Sequence, residues 1–220
     1  MSPKKLILAA LTAMVASLTA EAEEHTVYYY QRASLFDALP VDSTDIVMLG
    51  NSITDGCEWN ELFRMPNVIN RGISGDIVDG VRERLDPIVA GHPAKIFLMI
   101  GVNDVSHNLT ADSIAGAIVS LADEIIARTP GTRLYVESCL PINNKFGVYK
   151  RLAGKEEVVR EINARLAAEL KKRPVTFIDS YSRFADSEGN LRAELTNDGL
   201  HLMGPGYLLR REILLPYVLE

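Results

Sequence analysis

Two stretches decide the fold: Lys95-Ile96-Phe97-Leu98-Met99-Ile100-Gly101 and Arg133-Leu134-Tyr135-Val136-Glu137-Ser138-Cys139. Each is short, rich in β-favouring residues and almost continuously apolar. A strand with one wet face alternates apolar and polar residues, whereas a strand covered on both faces does not. Between the two runs, Ile114, Ile118, Leu121, Ile125 and Ile126 recur with the spacing of one helix face. A covered strand, an amphipathic helix and a second covered strand predict a parallel sheet with helices on both sides.

The same alternation extends in both directions. Asp45–Gly50, Val68–Asn70 and Val175–Ile178 read as three further strands, giving five in all. Val158, Val159, Ile162, Leu166 and Leu170 form another helix face. Arg82–Ala90 carries Leu85, Ile88 and Val89 and stops near Gly91 and Pro93. Gly204–Leu219 reads as a closing helix, and Tyr28–Leu39 as a helix ended by Pro40. No repeat, low-complexity tract or linker divides the chain.

The 220 residues carry a net charge of −6 and are 47% hydrophobic, which excludes a wholly disordered chain. An acidic chain without a Lys/Arg block excludes nucleic acid as the expected partner, because phosphate neutralisation needs a basic face. Two cysteines cannot staple a domain of this size, so a hydrophobic core must hold it. At the N-terminus, Lys4 and Lys5 precede the apolar run Leu6–Leu18, and Ala20-Glu21-Ala22 places small residues where a signal peptidase reads. Residues 1–22 are therefore expected to be a secretory signal, and 23–220 a single exported domain. The apolar run is too short to span a bilayer comfortably, so no stable membrane insertion is expected after cleavage near Ala22.

Open parallel sheets bind ligands at the carboxyl ends of their strands. The loops there read Gly50-Asn51-Ser52-Ile53-Thr54-Asp55-Gly56, Asn70-Arg71-Gly72-Ile73-Ser74-Gly75-Asp76, Gly101-Val102-Asn103-Asp104 and Asn197-Asp198-Gly199-Leu200-His201. Together they offer a hydroxyl, an imidazole, a carboxylate, an amide and glycine N–H groups, the set that acyl transfer requires. Ser52 is the candidate nucleophile and His201 the candidate base. Asp198, three residues earlier, would fix the imidazole tautomer and stabilise the imidazolium. The N–H groups of Ser52 and Gly72 and the side chain of Asn103 are the candidate oxyanion donors.

Each residue alone has a plainer explanation. Ser52 could cap a helix, Gly72 could serve a turn, and His201 could be structural. Asp104 is better read as a cap of the following segment. The functional reading rests on four independent loops supplying complementary groups at one sheet edge. Rival motifs fail: Gly56 is followed by Cys57 and Glu58 rather than Lys-Ser/Thr, so there is no P-loop. The nucleophile elbow G-x-S-x-G fails at Thr54, and no cluster has zinc-ligand spacing.

These blocks, Gly50-Asn51-Ser52-Ile53-Thr54, Gly72, Gly101-Val102-Asn103-Asp104 and Asp198-Gly199-Leu200-His201, resemble the SGNH (GDSL) hydrolase family in its order. The closest likeness is to the platelet-activating-factor-acetylhydrolase-like branch, which also contains carbohydrate and sialate O-acetylesterases. The resemblance runs from about Tyr28 to about Tyr217. It implies a flavodoxin-like, three-layer α/β/α sandwich, a Ser52-His201-Asp198 triad, Gly72 and Asn103 as oxyanion donors, and no cofactor or metal. One departure is Asn51, which stands where the family usually has aspartate.

The triad implies an acyl-ester substrate. Pro141–Lys150 should border the crevice, and its Asn143, Phe146 and Tyr149 could hold a sugar. Asn51, Arg71 and Asp76 are further candidates for contact with a polar substrate. No long apolar lid is visible, so a short acyl group such as acetyl is expected, carried on an external glycan. The alternatives are a phospholipid or lysophospholipid substrate for the same triad, or a glycan-binding module without turnover. His107 is the one rival base; His25 and His92 look peripheral. Cys57 and Cys139 could pair or remain free, and Trp59 is expected to pack on the helix after Ser52.

Overall fold

The computed structural model describes residues 25–220, so the expected signal segment lies outside the described residues. Five strands form one parallel sheet: β1 (Ile46–Gly50), β2 (Val68–Gly72), β3 (Lys95–Met99), β4 (Arg133–Glu137) and β5 (Val175–Ile178). Their spatial order is β2-β1-β3-β4-β5, the flavodoxin-like order of a doubly wound sheet. The order reverses beside β1, so the loops after β1 and β3 diverge from one crevice. Gly50 is level with Gly72 on one side and Met99 on the other. The three loops therefore leave the sheet at the same height.

The lack of alternation in the strand sequences has the expected cause. Val47, Leu49, Ile96, Leu98, Leu134 and Val136 face one core, shared with the helices Val78–Glu83, Ala111–Arg128 and Glu156–Leu170. Ile46, Met48, Phe97 and Tyr135 face the other, where Trp59, Phe63, Leu214 and Val218 cover them from the helices Trp59–Phe63 and Gly204–Leu219. Neighbouring strand residues thus enter opposite cores, and neither face is wet. Ile114, Ile118 and Ile125 are each buried on one face of their helix, a burial worth roughly 1.5–3 kcal/mol per side chain.

Boundaries differ from the sequence expectation by one or two residues at several elements, and one helix is split. β2 continues to Gly72, while β3 and β4 end at Met99 and Glu137 because the chain turns into the site there. The expected helix over Arg82–Ala90 is two short ones, Val78–Glu83 and Asp86–Val89. Pro87 lacks an N–H and fits only the first turn of a helix, so a new helix starts around it. The helices Val27–Ala38 and Gly204–Leu219 lie where their patterns place them.

Candidate active site

The turn after β1 is built from below. Asn51 is buried, and its Oδ1 accepts the Ile53 N–H at 3.1 Å, capping the helix Ser52–Asp55. Ser52 is the first residue of that helix. Two buried arginines hold the carbonyls around it. Arg84 donates to the carbonyls of Gly50 at 3.1 Å and Arg71 at 2.9 Å, and pairs with Asp76. Arg210 donates to the Ile53 carbonyl at 3.1 Å, pairs with Glu137 through two hydrogen bonds, and lies 4.8 Å from the Trp59 ring. Trp59 in turn donates its Nε1–H to the Thr54 carbonyl at 2.8 Å.

Ser52, His201 and Asp198 come together. The Ser52 Oγ lies 2.9 Å from His201 Nε2, and His201 Nδ1 lies 2.7 Å from Asp198 Oδ2. The network assigns the proton to Nδ1, which leaves Nε2 to accept from the serine. Asp198 Oδ1 accepts the N–H groups of Leu200 and His201, each at 2.8 Å. Burial pushes the Asp198 carboxyl up, but these donors and His201 outweigh it and hold the group at about 2. Asp198 is therefore a carboxylate throughout the neutral range.

Tyr149 is a fourth member of the cluster. Its hydroxyl donates to Asp198 Oδ2 at 3.0 Å and lies 2.9 Å from His201 Nδ1. Burial and the adjacent carboxylate both raise the Tyr149 pKa, which keeps the hydroxyl protonated as a donor. Ser52 and His201 open into a cavity of about 590 Å³ whose walls include Gly75, Asn103, Val148, Tyr149, Leu152 and Leu200.

Asn103 lines this cavity and spends one amide proton on the Asp76 carbonyl at 2.8 Å, leaving the second. Gly72 is corrected. Its N–H is committed to Asn70 Oδ1 at 2.8 Å, and it is absent from the cavity wall. Its glycine identity has a steric reason, since a Cβ there would stand 2.2 Å from the Asp55 nitrogen. The glycine that does line the cavity is Gly75, at φ +85, three residues along the same loop. Asp55 Oδ2 holds that loop by accepting from the N–H and hydroxyl of Ser74.

Of the six candidate substrate contacts, only Tyr149 reaches the cavity. Asn51 is turned inward as a cap. Arg71 donates to the carbonyls of Asn70 and Leu39 beside the Phe36 ring, and Asp76 is locked in its buried pair with Arg84. Asn143 is buried and donates to the Leu191 carbonyl, while Phe146 lies against Gly199. These five were polar or aromatic residues on the correct loops, but loop membership does not say which way a side chain turns.

The remaining expectations are also placed. His107 lines separate cavities and does not border the one at Ser52, so it is no rival base there. Asp104 caps a different helix from the one expected: its Oδ1 accepts the Val78 N–H at 3.3 Å, at the start of Val78–Glu83. Its Oδ2 has no partner among the described residues, and burial pushes the carboxyl up to about 7. Cys57 and Cys139 are both free, and they lie in different cores on opposite faces of the sheet.

Sequence reasoning missed Gly75, the Asp55 brace and the two arginines. Gly75 lies within the loop Asn70–Asp76 already singled out, and its position immediately after a serine at a strand end was the available signal. Nothing local marks Arg84 or Arg210, whose partners are distant in sequence. Among the described residues no group of three or more His, Cys, Asp or Glu side chains could hold a metal ion, and no helix is long and apolar enough to cross a membrane.

Comparison with known proteins agrees with this geometry. The chain is 28% identical over 183 residues to platelet-activating factor acetylhydrolase IB subunit alpha1 of Homo sapiens, covering 79% of this chain and 77% of that protein. A GDSL-like lipase from Bacteroides thetaiotaomicron superposes with a TM-score of 0.76 at 26% identity, over 86% of this chain and 96% of that one. An acetyl-xylooligosaccharide esterase from Geobacillus shares the fold, with a TM-score of 0.65 at 17% identity over 81% and 95% of the two chains. Residues 48–209 match the GDSL-like lipase/acylhydrolase family, and with the sheet order, the site and these relatives they show that the chain belongs to that family and is a carboxylic ester hydrolase.

Proposed function

We propose that the protein is an exported serine esterase that removes short acyl groups, acetyl first among them, through Ser52, His201 and Asp198. The Ser52 Oγ attacks the ester carbonyl while His201 Nε2 takes its proton. Asp198 stabilises the imidazolium so formed. The oxyanion of the tetrahedral intermediate is received by the N–H groups of Ser52 and Gly75 and by the free amide proton of Asn103. Collapse breaks the bond to the alcohol, which leaves with the proton from His201. Water, deprotonated by the same imidazole, then releases the acyl group and restores Ser52.

The observation that carries this reading is the unbroken relay of 2.9 and 2.7 Å from Ser52 through His201 to Asp198 at the mouth of a cavity. The alcohol is read first as a carbohydrate. A phospholipid is the second reading, and it is supported by the relatives named platelet-activating factor acetylhydrolase, whose name also favours an acetyl group. Residues 1–22 would direct export, with the mature chain starting at Glu23.

A fluorophosphonate probe should label the protein at Ser52 and fail on Ser52→Ala. p-Nitrophenyl acetate should be cleaved faster than the octanoate. An unlabelled Ser52 would favour a binding module instead, and preference for octanoate would overturn the short-acyl assignment. N-terminal sequencing of protein recovered from an exporting host should begin at Glu23.

A further inference from the structure

The geometry points to an anion-binding subsite at Lys150 and Arg151, so that the alcohol portion of the ester carries a carboxylate or phosphate. This deepens the hydrolase reading above and rests on it. Both side chains are exposed and border the Ser52 cavity, whose wall contains no carboxylate. Neither meets an acidic partner among the described residues, although the chain as a whole is acidic. Arg128, Arg173 and Arg183, also at the surface, each have a carboxylate within 2.6–2.7 Å. Two cations left unpaired at the one cleft that holds the nucleophile are available to a ligand.

Their positions are fixed by the fold. Lys150 and Arg151 lie on a short 3-10 turn, Lys150–Leu152, that follows Tyr149 directly. Tyr149 is bonded to Asp198, Leu152 is buried, and the Leu152 carbonyl accepts from Asn144 at 2.9 Å. The turn is thus pinned at both ends while its two cations face the cavity. A leaving alcohol must take its proton from His201 Nε2, the nitrogen that faces Ser52 in the cavity that Lys150 and Arg151 also line. The alcohol portion held in that cavity therefore comes within reach of the two cations.

A second cavity of about 900 Å³ continues around the same two side chains and adds His107 and Lys155. Asp79 and Asp104 also line it. Asp79 lies 3.9 Å from Arg82, and Asp104 already spends one oxygen on the Val78 N–H. The space beyond the ester is thus long enough for an extended acidic alcohol.

Calorimetric binding of p-acetamidobenzoate, its methyl ester and p-acetamidophenyl phosphate to the Ser52→Ala protein tests the subsite, because without the nucleophile neither the methyl ester nor the amide is turned over. Two exposed ion pairs together support an affinity gain of about tenfold for either acid over the neutral ester. That gain should vanish in Lys150→Gln/Arg151→Gln, shrink by part in each single variant, and collapse in about 0.5 M NaCl, where screening shortens to a few ångströms. Stronger binding of the phosphate identifies a phosphorylated alcohol; stronger binding of the benzoate identifies a carboxylated one. Equal affinity of acid and ester, no binding of any probe, or a gain that survives the double substitution overturns the subsite. Labelling of Ser52 by fluorophosphonate reports separately on the hydrolase reading, so the two failures are distinguishable.

Discussion

The Tyr149 hydroxyl lies 2.9 Å from His201 Nδ1 while donating to the Asp198 oxygen that the imidazole also engages. The carboxylate therefore divides its negative charge between a phenol and the imidazole. Tyr149→Phe removes the competing donor, so Asp198 should stabilise the imidazolium more strongly. With that competition gone, turnover should rise by up to roughly fivefold, the equivalent of about 1 kcal/mol. Turnover of an acetyl ester checks this, and an unchanged or slower variant contradicts the relationship.

Gly72 and Gly75 should respond to alanine in different ways. At Gly72 the new Cβ would meet the Asp55 backbone at 2.2 Å, so Gly72→Ala should lower Tm sharply and disturb the Ser52 turn. At Gly75 nothing lies within 4 Å, and only the left-handed backbone is penalised, by about 1–2 kcal/mol. Gly75→Ala should lose more activity than stability. Asn103→Ala should lose about 10²–10³ in turnover as an oxyanion donor. Thermal melts paired with esterase assays separate the two glycines.

Asp104 should make stability depend on pH. Folded, its carboxyl keeps a proton up to about 7 because it is buried; unfolded, it releases the proton near pH ~4. Between these values the unfolded state binds fewer protons, so stability falls as pH rises. Asp104→Asn abolishes that dependence and keeps an oxygen for the Val78 N–H. Its gain in stability should be on the order of 1–3 kcal/mol at about pH 8 and smaller at about pH 5. Melts across this range test the sign; a gain confined to acid pH would be the wrong sign.

Arg84 should be essential to the fold. Arg84→Met would leave the Asp76 carboxylate buried and unpaired, and would strip a donor from the carbonyls of Gly50 and Arg71. Breaking one side of such a pair typically destabilises by about 3–5 kcal/mol. Denaturant unfolding should show a loss of this size. The double variant Arg84→Met/Asp76→Leu should recover part of it.

The fold was legible because both sheet faces are covered, which removes the alternation from β3 and β4 and leaves a pattern few other architectures share. Ser52, Asp198 and His201 were legible because complementary groups follow strand ends, where parallel sheets present their loops. Orientation within a loop was not legible. Arg71 and Asp76 sit on the correct loop and turn inward, because each finds a partner that no local pattern displays. Gly72 and Gly75 share one loop, and only the position of the Asp55 backbone decides which is hemmed in and which is open to the cavity. The break within Arg82–Ala90 was available in Pro87, whose ring bars it from a helix interior.

The last helix carries Arg210, which grips the Ile53 carbonyl beside the nucleophile, and His201 lies just ahead of that helix. The stretch from His201 to Arg210 must therefore dock before the serine has both its base and this brace. A chain cut ahead of His201 would lose the base, the brace and the Leu214 and Val218 cover of one sheet face together, so esterase activity doubles as a report that this last helix is seated.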